Sequence, residues 1–164
     1  MEYRDILEVL SSGDIDAWEK LAQELQDFPE GVDGLVHRRW IINAIDSGSL
    51  ACVRWMIKRG VELGFRDEEG YTPLHAAIES SKDNKYELLQ LLLSADAPVN
   101  LKGINDWTPA HMAAARDDVK ALRLLVKFGA DLSIRTEIDE YATPLEEAQN
   151  LGKSNAAAYL ETVV

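Results

Sequence analysis

Three histidines and one cysteine are the side chains best suited to nucleophilic or metal chemistry in this sequence: His37, His75, His111 and Cys52. A nucleophile needs a base beside it, and a zinc site needs several His or Cys ligands at regular spacing. Cys52 stands alone on an apolar helical face, so we expect a buried thiol without a disulfide or a metal. We expect His37 at the surface, with contact to a partner as the alternative.

Adjacent carboxylates occur at residues 68–69, 117–118 and 146–147. Neighbouring side chains on a helix or turn point apart, so these pairs suit solvated faces better than acid–base catalysis. The sequence also contains no Gly-rich phosphate loop, no HExxH motif and no nucleophile elbow. We therefore expect a protein that is not an enzyme and that uses no cofactor and no metal. An enzyme or metalloprotein is the alternative that metal analysis and a substrate screen would test.

The charge balance restricts the class of partner. The 164 residues include 17 Lys and Arg against 29 Asp and Glu, a formal net charge of −12. Nucleic acids and anionic membranes attract basic surfaces, so we expect neither as a partner, whereas a basic protein would fit. Solubility alone is an equal explanation of the charge. The sequence has no signal peptide and no apolar run near the ~18 residues of a membrane span, so we expect a cytoplasmic protein, monomeric when unbound.

A six-residue pattern recurs along the chain. It reads TPLHAA at 72–77, TPAHMA at 108–113 and TPLEEA at 143–148, with spacings of 36 and 35 residues. A degenerate copy, RWIINA at 39–44, begins 33 residues before the first. Thr can cap the free N–H groups at a helix start and Pro fits the first turn, so each Thr-Pro copy predicts a helix start.

A second helical stretch follows each of the first three copies, with apolar residues at helical spacing and then a turn. Gly60 and Gly129 offer the left-handed backbone that ends a helix. Ala95-Asp96 replaces that glycine in the middle copy, where we expect a strained turn. The middle copy is also three residues longer, near residues 82–85, between its two helices.

These motifs resemble the ankyrin repeat, a β-turn finger followed by two antiparallel helices, over residues 36–164. The resemblance implies an all-α repeat fold, an α-solenoid of about four helix-turn-helix repeats with short β-turn fingers. It also implies a structural role for His75 and His111, which would bond the neighbouring motif's backbone or the Thr hydroxyl. End repeats of a solenoid are atypical because one face meets water. The predicted units are an N-terminal capping repeat at 1–35, repeats at 36–68, 69–104 and 105–139, and a C-terminal capping repeat at 140–164.

Ankyrin repeats bind proteins through the finger tips and the inward face of each first helix, so the resemblance assigns the binding surface to those positions. Tyr71 and Trp107 both precede Thr-Pro, where aromatic side chains supply rigid contact area. Packing against their own finger is the alternative. The predicted partner-binding residues are Asp67, Glu68, Glu69 and Tyr71 of the 67–71 finger, Ile104, Asn105, Asp106 and Trp107 of the 104–107 finger, Asp139, Glu140 and Tyr141 of the 137–141 finger, and the first-helix residues Glu79 and Arg116.

The resulting hypothesis is a non-enzymatic protein-binding module that inhibits or sequesters a basic protein. Small ankyrin proteins of this kind are similar to the cytoplasmic immunity proteins encoded beside bacterial toxins, which implies a toxin-immunity role. The alternative is an adaptor or regulatory scaffold that bridges two proteins, which needs two surfaces where the sequence displays one. Residues 1–33 hold ten acids and two bases, and they would either face the partner or only aid solubility.

Overall fold

The computed structural model describes residues 2–138 and 141–164, and within them the chain forms ten α-helices in five consecutive pairs. A single antiparallel bridge, between Val32 and Arg39, is the one strand-like pairing in this part of the chain. The structure therefore confirms the all-α repeat architecture. The helices are α1 (Tyr3–Ser11), α2 (Ile15–Glu24), α3 (Trp40–Asp46), α4 (Leu50–Lys58), α5 (Pro73–Glu79), α6 (Lys85–Ser94), α7 (Pro109–Ala115), α8 (Val119–Lys127), α9 (Pro144–Asn150) and α10 (Ser154–Leu160), with a 3-10 turn at Ile104–Asp106.

The Thr-Pro copies start helices α5, α7 and α9, as predicted. Each Thr is the N-cap and each Pro is the first helical residue. In α9 the cap is reciprocal, because Thr143 N–H donates to Glu146 (2.8 Å) and Glu146 N–H donates to the Thr143 hydroxyl (3.3 Å). The degenerate copy also starts a helix, α3, although its N-cap Arg39 offers no capping side chain.

The turns after the second helices follow the glycine pattern. Gly60 and Gly129 have φ of 86° and 87°, in the left-handed region that favours glycine. Asp96 occupies the same place with φ of 60°. A left-handed L-residue costs about 1–2 kcal/mol, less for Asp than for most, so the strain expected in this turn is present.

One hydrophobic core runs through all five helix pairs. Small alanines on α5 and α7 are buried and let neighbouring first helices approach closely. At the N-terminal end, the rings of Trp18 and Trp55 lie 5.9 Å apart, and Phe28 stacks on Trp55 at 5.8 Å and meets Trp40 edge-on at 5.6 Å. The α1–α2 pair thus covers an aromatic cluster that α3 and α4 could not bury alone.

Polar bonds join each helix pair to the next. Ser49 N–H donates to Leu10 O (3.0 Å), linking the first two pairs. Lys82, from the predicted three-residue insertion, extends its ammonium back to α3 and donates to Ile45 O (2.9 Å) and Gly48 O (2.6 Å). It thereby satisfies carbonyls at the C-terminal end of α3, which the helix leaves unpaired.

Candidate protein-binding surface

The two motif histidines hold one finger against the next. His75 is fully buried; its Nδ1 lies 2.7 Å from the Thr72 hydroxyl and its Nε2 lies 3.0 Å from Trp107 O. A carbonyl only accepts, so Nε2 carries the proton and Nδ1 accepts from Thr72. His111 repeats this geometry with Thr108 (2.8 Å) and Ala142 O (3.0 Å). Burial lowers the pKa of His75 to about 4 and also lowers the pKa of His111. Both imidazoles are structural, as predicted.

Cys52 is fully buried, and burial raises the pKa of its thiol to about 12, which leaves no thiolate to act as a nucleophile. His37 is exposed, as expected.

Within residues 2–138 and 141–164 no three His, Cys, Asp or Glu side chains cluster so as to hold a metal. None of the helices in those ranges combines the length and the apolar character needed to cross a membrane.

Within the described residues, backbone bonds close the bases of four finger loops, where the sequence predicts three. Each is closed by one backbone bond: Asp67 N–Tyr71 O (2.9 Å), Gly103 N–Trp107 O (2.7 Å), Thr136 N–Ala142 O (3.0 Å) and, in the loop that was missed, Asp33 N–Arg38 O (2.8 Å). We call these four loops the finger row. The missed 33–38 finger lacks the Thr-Pro that marks the others. A signal was nevertheless present, because Asp33 lies 34 residues before Asp67, close to one repeat.

The buried carboxylate of Asp33 builds the 33–38 finger. It accepts from the N–H groups of Leu35 (2.9 Å) and Val36 (2.7 Å) and from the amide of Asn43 (2.9 Å). Burial alone would raise the pKa of Asp33, but these hydrogen bonds lower it below its ordinary value. The fixed turn points apolar side chains outward: Leu35 is 65% exposed and Val36 49%.

Tyr71 and Trp107 are both half-buried and pack against the core, each with part of its ring accessible. Burial and a hydrogen bond to Glu79 raise the pKa of Tyr71 to about 12. Tyr71, Arg38 and Glu69 line an open cavity of about 570 Å³ that reaches Tyr3 on α1. Ile104 is half-buried like Tyr71 and Trp107, so the two middle fingers expose less apolar side chain than the 33–38 finger does.

The 137–141 finger ends the row with a second apolar tip. Tyr141 is 60% exposed, with the Arg135 guanidinium 5.6 Å from its ring centroid. Ile138 beside it is also exposed, whereas Ala142, which takes the place of Tyr71 and Trp107, is buried. The predicted residues Asp139 and Glu140 lie outside the described residues.

Several predicted charges are engaged within the protein. Asp67 accepts from the N–H groups of Glu69 (3.1 Å) and Tyr71 (2.7 Å), and so shapes its own turn. Asp106 forms an ion pair with Lys102 (2.9 Å). Burial alone would raise the pKa of Asp106, but the ion pair with Lys102 outweighs burial, so this pKa lies below its ordinary value.

The other predicted polar residues of the fingers and first helices are exposed, and only some of them form ion pairs. Glu79 and Arg116 form an exposed ion pair between α5 and α7. Asn105 is exposed, with a positive φ of 56°. Glu68 and Glu69 are exposed and form no ion pair with any described residue. Among the described finger residues they are therefore exposed carboxylates without an ion-pair partner.

Comparisons with known proteins agree with this geometry. A family model described as ankyrin repeats (3 copies) matches residues 6–102, and another, ankyrin repeats (many copies), matches 79–126. The chain is 31% identical over 125 residues to the RelA-associated inhibitor of Mus musculus, covering 75% of this chain and 15% of that protein. It is 36% identical over 111 residues to the nuclear factor NF-kappa-B p105 subunit of Mus musculus, covering 67% and 11%. It is 30% identical over 105 residues to ankyrin repeat and SOCS box protein 3 of Homo sapiens, covering 62% and 19%.

The chain matches less than a fifth of the length of each of these three relatives, so the similarity concerns their repeats. The first family model alone matches more than half of the chain. Ankyrin repeats are a non-catalytic fold that binds other proteins. The chain belongs to the ankyrin repeat family, and it is a protein–protein interaction module.

Proposed function

We propose that the finger row binds one basic protein and inhibits or sequesters it. The observation that carries the proposal is the pattern along the row: apolar tips at both ends (Leu35 with Val36, and Ile138 with Tyr141) and unpaired acids, Glu68 and Glu69, between them. Exposed apolar side chains on one surface, with polar and charged groups around them, are typical of a protein interface.

The order of the first three fingers favours an inhibitor. The 33–38, 67–71 and 104–107 fingers are each closed by a backbone bond, and the 104–107 finger is also held by the buried imidazole of His75. A surface that is ordered before binding loses little conformational entropy on association, which increases affinity for a given contact area. One relative, the RelA-associated inhibitor, carries this activity in its name. A toxin-immunity protein, cytoplasmic and monomeric until it meets its toxin, is the form of inhibitor that we propose; an adaptor is the alternative.

The electrostatic part is tested by association kinetics with the partner isolated on the immobilised chain. Glu68→Lys with Glu69→Lys should lower the association rate about tenfold, and added salt should lower the wild-type rate, because screened charges no longer steer the encounter. The matched control is Asp83→Lys with Glu161→Lys, which makes the same charge change at exposed acids outside the finger row. An association rate indifferent to salt and to both pairs would assign the net charge to solubility.

The contribution of the apolar finger tips to binding is tested by dissociation kinetics. Leu35→Ser with Val36→Ser should raise the dissociation rate roughly tenfold, because interface contacts are lost after the encounter. Ile15→Ser is the control, since Ile15 is 57% exposed on α2, outside the finger row. Equal effects of the two substitutions would contradict the finger row as the interface. Reversing the cap acids Asp14, Asp16 and Glu24 asks separately whether the partner extends to α1–α2.

A further inference from the structure

The outer surface of α8 carries a stripe of positive charge in a chain of net charge −12. Lys120, Arg123 and Lys127 are exposed at spacings of three and four, which place them on one side of the helix. None of the nine residues of α8 is acidic. The stripe is therefore opposite in sign to the net charge of the protein and to the acids of the finger row.

Aromatic rings, not carboxylates, hold these cations. The Lys120 ammonium lies 4.2 Å from the ring centroid of Tyr86 on α6, and the Arg123 guanidinium lies 4.6 Å from that of Tyr159 on α10. No described carboxylate forms an ion pair with Lys120, Arg123 or Lys127. Cation–π contacts position a charge without neutralising it, so the stripe keeps its attraction for acids.

The stripe serves the stability of α8 only in part. Lys127 lies in the last turn, where the helix dipole favours a cation, and the cation–π contacts join α8 to α6 and α10. Like charges three or four residues apart destabilise a helix by a few tenths of a kcal/mol per pair. Lys120 also lies in the first turn, where the helix dipole disfavours a cation. An acid at position 120 would suit the helix dipole better, and in an acidic chain three further cations are not needed for solubility. A role in binding would explain why three exposed cations share one face of α8, which helix stability and solubility do not require.

A shallow groove of about 320 Å³ runs between α6 and α8 beside the stripe. Tyr86 and Leu124 provide its apolar floor, the three cations form one wall, and Glu87 is the one carboxylate among its lining residues. A second groove of about 310 Å³ lies on the other side of α6 and includes Arg54. The groove between α6 and α8 is thus bordered mainly by positive charge, whereas the second groove has one cation, Arg54, and one carboxylate, Glu87.

We propose that the α6–α8 groove is a second docking surface, remote from the finger row, and that it binds an acidic amphipathic helix of a protein partner. Lys120 and Lys127 are seven residues apart, or about 10 Å along α8. Lys120, Arg123 and Lys127 lie at i, i+3 and i+7, and acids at positions i, i+4 and i+7 of a helix docked antiparallel to α8 match this spacing. Apolar residues on the same face of that helix would meet Tyr86 and Leu124. Charge complementarity favours this occupant over a long polyanion, which the acids elsewhere on the chain would repel.

This inference goes beyond inhibition of a basic protein. The finger row attracts basic groups, and the α6–α8 groove attracts acidic groups. Together the two surfaces supply the two sites that an adaptor needs. The two surfaces use different residues, so each can be removed without the other.

Titration of the ¹⁵N-labelled 164-residue chain with a synthetic helical peptide tests the proposal. The probe carries Glu at positions i, i+4 and i+7 and Leu between them on the same face. Amide shifts should occur along α6 and α8. Lys120→Glu with Arg123→Glu and Lys127→Glu should weaken binding at least roughly tenfold, or about 1.4 kcal/mol. The control triple, Arg4→Glu with Lys20→Glu and Arg66→Glu, makes the same charge change at exposed sites and should retain affinity within about twofold.

Other outcomes overturn the proposal. A peptide of the same composition with its acids scattered around the helix should bind at least several-fold more weakly; equal binding would reduce the groove to nonspecific attraction. Tighter binding of a single-stranded RNA or of phosphatidylserine vesicles would reassign the surface to another class of ligand. Self-association abolished by the α8 triple variant would make it an interface between copies. Glu68→Lys with Glu69→Lys should leave peptide binding unchanged, which separates this result from any failure at the finger row.

Discussion

Mild acid should destabilise this protein through its two buried histidines. His75 has an ordinary pKa of 6.5 that burial lowers to about 4, so in the folded state the imidazole stays neutral down to that pH. The unfolded chain takes up the proton near pH 6.5. The stability that the neutral imidazole contributes is therefore present above pH 6.5 and is lost as the pH falls towards 4.

The magnitude follows from the two pKa values of His75. As the pH falls from about 7 to about 5, the excess of protons bound to the unfolded imidazole rises from about a quarter to almost one, and the integrated loss of stability is about 2 kcal/mol. His111 acts in the same direction, since burial also lowers its pKa. Carboxylates contribute little in this range. The pKa of Glu146, for example, is lowered to about 2 by hydrogen bonds from Arg135 and Thr143, so its stabilising effect is lost only at lower pH.

Urea denaturation followed by tryptophan fluorescence, repeated across this pH range, measures the effect. His75→Gln keeps an N–H donor for Trp107 O but removes the titrating ring. It should lower stability near pH 7 and flatten the pH dependence by about 2 kcal/mol. His37→Gln retains both buried imidazoles and should follow the wild type. Parallel pH profiles for wild type and His75→Gln would refute the idea that the buried imidazole causes the acid sensitivity.

Three further predictions concern the core, the N-terminal pair and the aromatic anchors. Leu92 and Leu125 are fully buried at matched second-helix positions, so Ala at either should cost about 2–5 kcal/mol in chemical denaturation, and a loss below about 1 kcal/mol at both would contradict the repeat register. Deleting residues 1–34 should uncover the aromatic cluster and cause aggregation, visible by light scattering; a soluble, cooperatively folding truncated protein would contradict their role as a cap. Ala at Tyr71 or Trp107 should shift the thermal midpoint by only a few degrees yet weaken partner binding by roughly 1–3 kcal/mol, and unfolding of the Trp107 variant would place that ring in the core.

The fold was predictable because its signals are local. Thr-Pro at 72–73 fixes a helix start by capping chemistry alone, and Gly60 fixes a left-handed turn by backbone sterics alone. Repetition then supplied the long-range arrangement, since each unit must pack on its copy. The 33–38 finger was missed because its helix starts without Thr-Pro, and its turn depends on a buried Asp33 whose partners include Asn43.

The candidate binding surface was less predictable, because free and engaged charges look alike in a sequence. Glu69 and Asp106 are both finger acids, but only Asp106 has an ion-pair partner, Lys102. Glu79 and Arg116 are 37 residues apart, and only the stacking of α5 against α7 brings them together. The cation stripe of α8 can be read from its spacing, yet the rings that hold it come from α6 and α10.

The two kinds of bond between units differ in how they constrain rearrangement of the gene. The motif histidines and Lys82 both bond backbone carbonyls of a neighbouring unit, which any unit in that place would offer, so these bonds tolerate exchange of the accepting unit. The ion pairs Glu79–Arg116 and Lys85–Asp118 are different, because each needs a particular side chain in both units. The units at 69–104 and 105–139 should therefore be inherited and engineered as a pair in fixed order.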